Sequence, residues 1–133
     1  MSIKTINKWK KIIETAKTND LGNIIHEKAI FFSPVVYTPQ KGKPNVIKYL
    51  SSAVKVFKGK KFKYINNEYF TSSAFFAEFS AEINNIEING VDIIHCEYGL
   101  IKEFKVFLRP IKALEAVWSE MKKKLEEYDN NLS

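Results

Sequence analysis

With 133 residues, 45% of them hydrophobic and 14% aromatic, the chain is long enough for one cored domain, too short for two of ordinary size, and too apolar for disorder. Its formal charge of +6 rests on 21 basic residues, of which only Arg109 is an arginine. Base and phosphate recognition favour the guanidinium fork, so nucleic acid is not the expected partner, and the lysine runs KGKKFK (58 to 63) and KKK (122 to 124) read as solvated surface.

A single cysteine, Cys96, excludes an intramolecular disulfide framework and a cysteine cluster for zinc or iron–sulfur ligation. No apolar run approaches the roughly 18 to 20 residues needed to cross a bilayer, and MSIKTINKWKKII alternates lysine with apolar residues where a secretory leader would be continuous. A cytoplasmic protein of one domain, 1–133, with no membrane partner is expected.

In chain order, Ile6, Trp9, Ile12, Ile13 and Ala16 recur at helical spacing and predict a first amphipathic helix over about 3–17. Asn19 or Asp20 can cap a short second helix carrying Leu21, Ile24 and Ile25. AIFFSPVVYTPQKGKPN then reads as a short extended piece broken by Pro34, Pro39 and Gly42. Pro44 suits the first turn of a third helix with Val46, Ile47, Leu50, Ala53, Val54 and Phe57 on its apolar side.

From KKFKYINNEYF onward the period changes to that of strands. SAFFAEFSAEI, IEINGVDIIHC and LIKEFKVFLRP follow, separated by the turn signals TSS, NN and EYG, which predicts a meander of four long antiparallel strands. Pro110 ends the last of them and opens a final helix with Ile111, Leu114, Val117, Trp118, Met121, Leu125 and Tyr128 as its stripe and a polar, fraying tail. Helices, then a sheet, then one helix is an α+β arrangement with helices over one sheet face.

Asp92 stands between Val91 and Ile93 in a run that is otherwise apolar. If Asn84 and Asn85 are the central residues of a tight hairpin, Ile83 pairs with Ile86 and Ala77 with Asp92. One face then carries Phe75, Ala77, Phe79, Ala81 and Ile83 with Ile88, Asp92, Ile94 and Cys96; the other carries Phe76, Glu78, Ser80 and Glu82 with Glu87, Val91, Ile93 and His95. The first set is nearly all apolar and is expected to face the helices, Asp92 with it. A one-residue slip would reverse the assignment. An inward Asp92 is either a satisfied structural carboxyl or a pocket carboxyl with a raised pKa, able to exchange protons with a ligand.

With FxSP ending at Pro34, Gly42 before a helix, GVD at Gly90 to Asp92, and GLIKEF running on to RP, the order of elements resembles the nuclear transport factor 2-like superfamily over essentially the whole chain. Within it the chain is most similar to bacterial SnoaL-like and ketosteroid-isomerase-like proteins. The resemblance implies a cone-shaped α+β domain, a curved antiparallel sheet covered on its concave face by helices around an apolar pocket, commonly as a homodimer. Active relatives use an inward carboxylate on an apolar small molecule. The isomerase branch adds a tyrosine and a second, protonated carboxylic acid, and the epoxide-hydrolase branch an Asp, Arg and Asp set.

Of three aspartates here, Asp20 suits a helix cap and Asp129 lies in the tail, which leaves Asp92 as the candidate catalytic base of an isomerase, cyclase or hydrolase. A non-catalytic ligand-binding or interaction domain of the same fold is the alternative. Glu68 or Glu103 can supply a second carboxylate, depending on strand register, although Phe104, Val106 and Leu108 read as the inward set of the last strand. Trp9, His26, Phe32, Tyr37, Tyr49, Tyr64, Phe79 and Trp118 are the candidate ligand contacts. No cofactor and no metal are expected. The outer strip of Phe76, Val91 and Ile93 with His95, bordered by glutamates, reads as a homodimer surface.

Overall fold

The structure is a computed structural model that describes residues 3–132. Helix α1 spans Ile3–Thr15 and buries Ile6, Trp9 and Ile12, the positions its helical spacing aligns. It ends where Ala16 turns to φ 58° with its N–H on the Ile12 carbonyl, so Ala16 falls outside the helix that the spacing extended to 17. The following segment, Thr18–Asn23, is a single stretch of 3-10 helix with Lys17 at its cap position, and no side chain caps it, contrary to the expectation for Asn19 or Asp20.

Ile25, expected on that short helix, is instead the first residue of strand β1, Ile25–Phe32. The β-branched Ile24-Ile25 pair suits a pleated surface better than a helix. Strand β2, Gln40–Lys41, pairs with β1 at the sheet edge, and Gly42, at φ 93°, turns the chain into helix α2, Lys43–Phe57. Pro44 occupies the first turn of α2, where a missing N–H leaves nothing unsatisfied.

Strands β3 (Lys63–Phe70), β4 (Ala74–Ile83), β5 (Ile86–Glu97) and β6 (Leu100–Arg109) form the expected meander. The sheet has six strands in the order β2-β1-β6-β5-β4-β3, with β1 lying parallel to β6. Asn84 and Asn85 have φ of 51° and 65°, the two positive values a tight hairpin needs, and Ile83 pairs with Ile86. Helix α3, Ile111–Leu132, closes the chain.

The concave face packs against the helices in two apolar groups. One joins Ile6, Trp9, Leu21, Leu50, Phe75 and Phe104, and the other joins Phe79, Ile83 and Ile88 to Ala113, Val117 and Met121 of α3. Phe75, Phe79 and Phe104 are each fully buried, worth roughly 1.5–3 kcal/mol apiece in transfer from water. Ile111 is 73% exposed and not part of the α3 stripe: it lies two residues, about 200° around the helix, from Ala113. Nor does the helix stop short at its polar tail, because Lys48 of α2 holds Asp129 at 2.8 Å. No helix among the described residues is long and apolar enough to cross a membrane.

Candidate functional site

The hairpin pairing sets Asp92 opposite Ala77 on one side and Val106 on the other, on the concave face. Its residue is 4% exposed. The same face carries Gly90, opposite Phe79, where an added Cβ would lie 2.3 Å from the Phe79 ring, so the glycine makes room for that aromatic wall beside Asp92.

Tyr64 pairs with Phe79 from β3, and its O–H donates to Asp92 Oδ2 at 2.5 Å. Trp9, 55 positions earlier in the chain, donates Nε1–H to the Tyr64 oxygen at 2.8 Å. An indole nitrogen can only donate, so the Tyr64 oxygen must accept from it, and the single phenolic proton goes to Asp92. Asp92 Oδ1 makes no hydrogen bond with any described residue.

Burial raises the Asp92 carboxyl to a pKa of about 7, with the Tyr64 hydrogen bond pulling the other way. Tyr64 is itself held well above its usual range, first by burial and then by the Asp92 charge, so the phenol remains a donor. A short O–H···O contact to a carboxyl poised near neutrality fixes one of its oxygens and leaves the other for a ligand.

A cavity of about 50 Å³ adjoins Asp92, walled by Trp9, Phe31, Phe79, Phe104, Val106 and Met121, with Ser33, Pro34 and Val35 from the segment after β1 along one side. Of the residues singled out in the sequence, Trp9, Phe79 and Asp92 meet here, and Tyr64 reaches Asp92 from behind the wall. Tyr49 stacks on Phe31 at 5.9 Å, one layer back. The others lie elsewhere. His26 accepts the Lys28 N–H at Nδ1, Phe32 lies on the opposite side of its strand from Phe31 under the Lys105 ammonium, and Tyr37 is 98% exposed. Trp118 packs on the α3 side of the core under Lys122.

Phe31 and Phe62 are wall residues the sequence reading passed over, while Phe57 and Met121, which it placed on the apolar sides of their helices, were not among its ligand contacts. For Phe31 the signal is parity with Ala29 in β1, usable only once the strand is known to begin at Ile25. Phe62 lies in the turn between α2 and β3, where no periodicity applies.

The two glutamates left open by register part company. Glu103 pairs with His95 on the outer face. Glu68 pairs with Ala77 on the inner face, the side that Tyr64 also takes, and Lys10 of α1 engages it at 2.6 Å. Arg109 donates Nε–H to Asn89 Oδ1 at 2.9 Å, away from the cavity. No three histidine, cysteine, aspartate or glutamate side chains converge on a metal position among the described residues.

No family model matches the chain, and no curated protein sequence matches it significantly. Solved structures do. A steroid delta-isomerase from Pseudomonas aeruginosa is similar at 29% identity and a TM-score of 0.88, over 96% of this chain and 93% of that one. An NTF2-like protein of unknown function from Mesorhizobium loti superposes with a TM-score of 0.72 at 12% identity, covering 82% and 91%. The epoxide hydrolase/cyclase-like enzyme SalBIII, of pyran ring formation in the polyether salinomycin, gives 0.64 at 14% identity, covering 80% and 88%. The chain has the nuclear transport factor 2-like fold.

Proposed function

We propose that this protein is an isomerase that moves a proton between two carbons of an apolar carbonyl compound, with Asp92 as general base. One observation carries the reading: a buried carboxyl with a pKa of about 7, one oxygen held by Tyr64 at 2.5 Å and the other unbonded, beside an apolar cavity. The likeness to a steroid delta-isomerase, at 29% identity, supports isomerisation over the ring-forming chemistry of the more distant cyclase-like enzyme at 14%.

In the proposed step, ionised Asp92 takes at Oδ1 the proton of a carbon next to the carbonyl. The C–H electron pair becomes the double bond of an enolate, whose charge rests on oxygen. Neutral Asp92 then returns the proton to a further carbon of the conjugated system and the carbonyl re-forms, so nothing is gained or lost overall. Ser33 Oγ accepts the N–H groups of Val35 and Val36 at 3.1 and 3.2 Å, which leaves its own proton for the enolate oxygen.

The test is turnover of a small β,γ-unsaturated cyclic ketone, followed by absorbance of the conjugated product. Wild-type protein is expected to turn it over, and Asp92→Asn to lose about 10²–10⁴-fold while still binding it. Binding without turnover in the wild type would favour the second reading, a non-catalytic ligand-binding domain. That reading draws on the cavity wall, in which Asp92 is the sole carboxylate among the described residues.

We further propose a homodimer through the outer sheet face around Phe76, Val91, Ile93 and His95. Val91 pairs across the strands with Phe107, which is 55% exposed, so an apolar strip on that face has no cover within one chain. Sedimentation is expected to report a dimer at micromolar concentration; a monomer there would refute it.

A further inference from the structure

The cavity beside Asp92 shares the side chains of Ile13, Phe57 and Phe62 with a second, open recess of about 530 Å³. One wall therefore serves both, where the end of α1, the end of α2 and the start of β3 meet. The inner space, about 50 Å³, accommodates a fragment of only a few heavy atoms. A ligand that presents such a fragment to Asp92 past Ile13, Phe57 and Phe62 has room for its remainder in the open recess.

The rim of that recess is basic. Lys58, Lys61 and Lys63 line it together with Lys10, against the carboxylates of Glu14 and Glu68. Lys10 and Glu68 neutralise each other at 2.6 Å, and Lys61 leans outward to Glu82 at 3.3 Å. Lys58 and Lys63 make no ion pair with any described residue. They flank the turn in which Gly59 and Lys61 take positive φ of 70° and 58°, where α2 gives way to β3 at one end of the recess.

We propose that the ligand is an amphipathic acid: an apolar portion passes between Ile13, Phe57 and Phe62 toward Asp92, and a carboxylate or phosphate rests on Lys58 and Lys63. This rests on the reading of the cavity as the substrate site and names the class of substrate. It also assigns a role to part of the KGKKFK run, as the polar end of a small-molecule site. An anion at the rim stays separated from the Asp92 carboxyl by the aromatic wall.

The experiment compares decanoate, decyl phosphate and uncharged decanol, titrated against the Trp118→Phe protein so that Trp9 fluorescence reports entry. At low salt both anions are expected to bind about tenfold tighter than decanol, the advantage shrinking as salt rises. Lys58→Glu with Lys63→Glu, or Gln at both positions should the charge reversal disturb folding, is expected to abolish the advantage and leave decanol binding unchanged. A preference for one anion tells a phosphate ester from a carboxylic acid. Equal affinity for decanol and both anions, or anion binding indifferent to both pairs of substitutions, overturns the proposal while the cavity reading stands. Failure of all three probes to bind overturns both.

Discussion

Asp92 and Glu78 sit on neighbouring strands, one residue out of step, since Ala77 pairs with Asp92 and Glu78 with Val91. Their carboxyls shift in opposite directions. Glu78, on the outer face, is held below the usual carboxylate range by the amides of Asn66 and Asn89, each at 2.8 Å, with Arg109 beyond them. Asp92, on the inner face, has one phenolic donor and is pushed up to about 7 by burial. Residue type does not decide which carboxyl can trade protons near neutrality. The number of donors and the loss of water do.

The largest expected effect comes from erasing the inner carboxyl. Asp92→Asn should reduce turnover of the ketone by about 10²–10⁴-fold, whereas Glu78→Gln should leave it within experimental scatter. Next is the pH dependence of stability. Asp92 has a folded pKa raised above its unfolded value, so its contribution is fully present below about pH 4 and is lost as pH rises through about 7. Denaturant melts across that interval should show a decline of about 4 kcal/mol in the wild type, absent in Asp92→Asn. Activity should rise through the same interval, because the base must be ionised; a bell centred below pH 5 would contradict the assignment.

Removing the one donor makes the two faces still less alike. Tyr64→Phe leaves the Trp9 N–H and Asp92 Oδ2 unsatisfied and should destabilise by about 1–3 kcal/mol. It also removes the contact that lowers the Asp92 pKa, so the rising limb of the activity profile should move to higher pH, a change that loss of packing alone would not produce. Gly90→Ala drives a methyl into Phe79 and the Leu108 side chain, 2.8 Å away, and should lower stability by about 1–3 kcal/mol with the pH of the activity limb unmoved. Smallest is Glu78→Gln: its lowered pKa contributes stability above the carboxylate range that disappears in acid, so melting curves should coincide with wild type at neutral pH except for a slight loss.

How much of this was legible in the sequence depended on distance along the chain. The Asn84-Asn85 pair announces its turn through the tolerance of asparagine for positive φ, and from that turn every face assignment between Phe75 and Cys96 follows by alternation. Phe104, Val106 and Leu108 followed by the same logic, although a bulge between His95 and Cys96 interrupts the pairing further along. Helical spacing found Trp9, and the order of helical and strand periods along the chain found the fold class.

What lay beyond reach involved breaks in periodicity and meetings between distant segments. The bulge between Ile65 and Glu68 takes Asn66, at φ 60°, to Glu78 on the outer face, and no local pattern marks it. Tyr64 was one of several tyrosines until the sheet curved it beneath Trp9, and the aromatic wall depends on how α1, α2 and α3 settle on the concave face. Alternation along a strand is set by backbone stereochemistry and is local, so the sequence alone determined that Asp92 points inward. Its donors, its dehydration and the space beside it come from packing among elements far apart in the chain, and only the tertiary structure decided those.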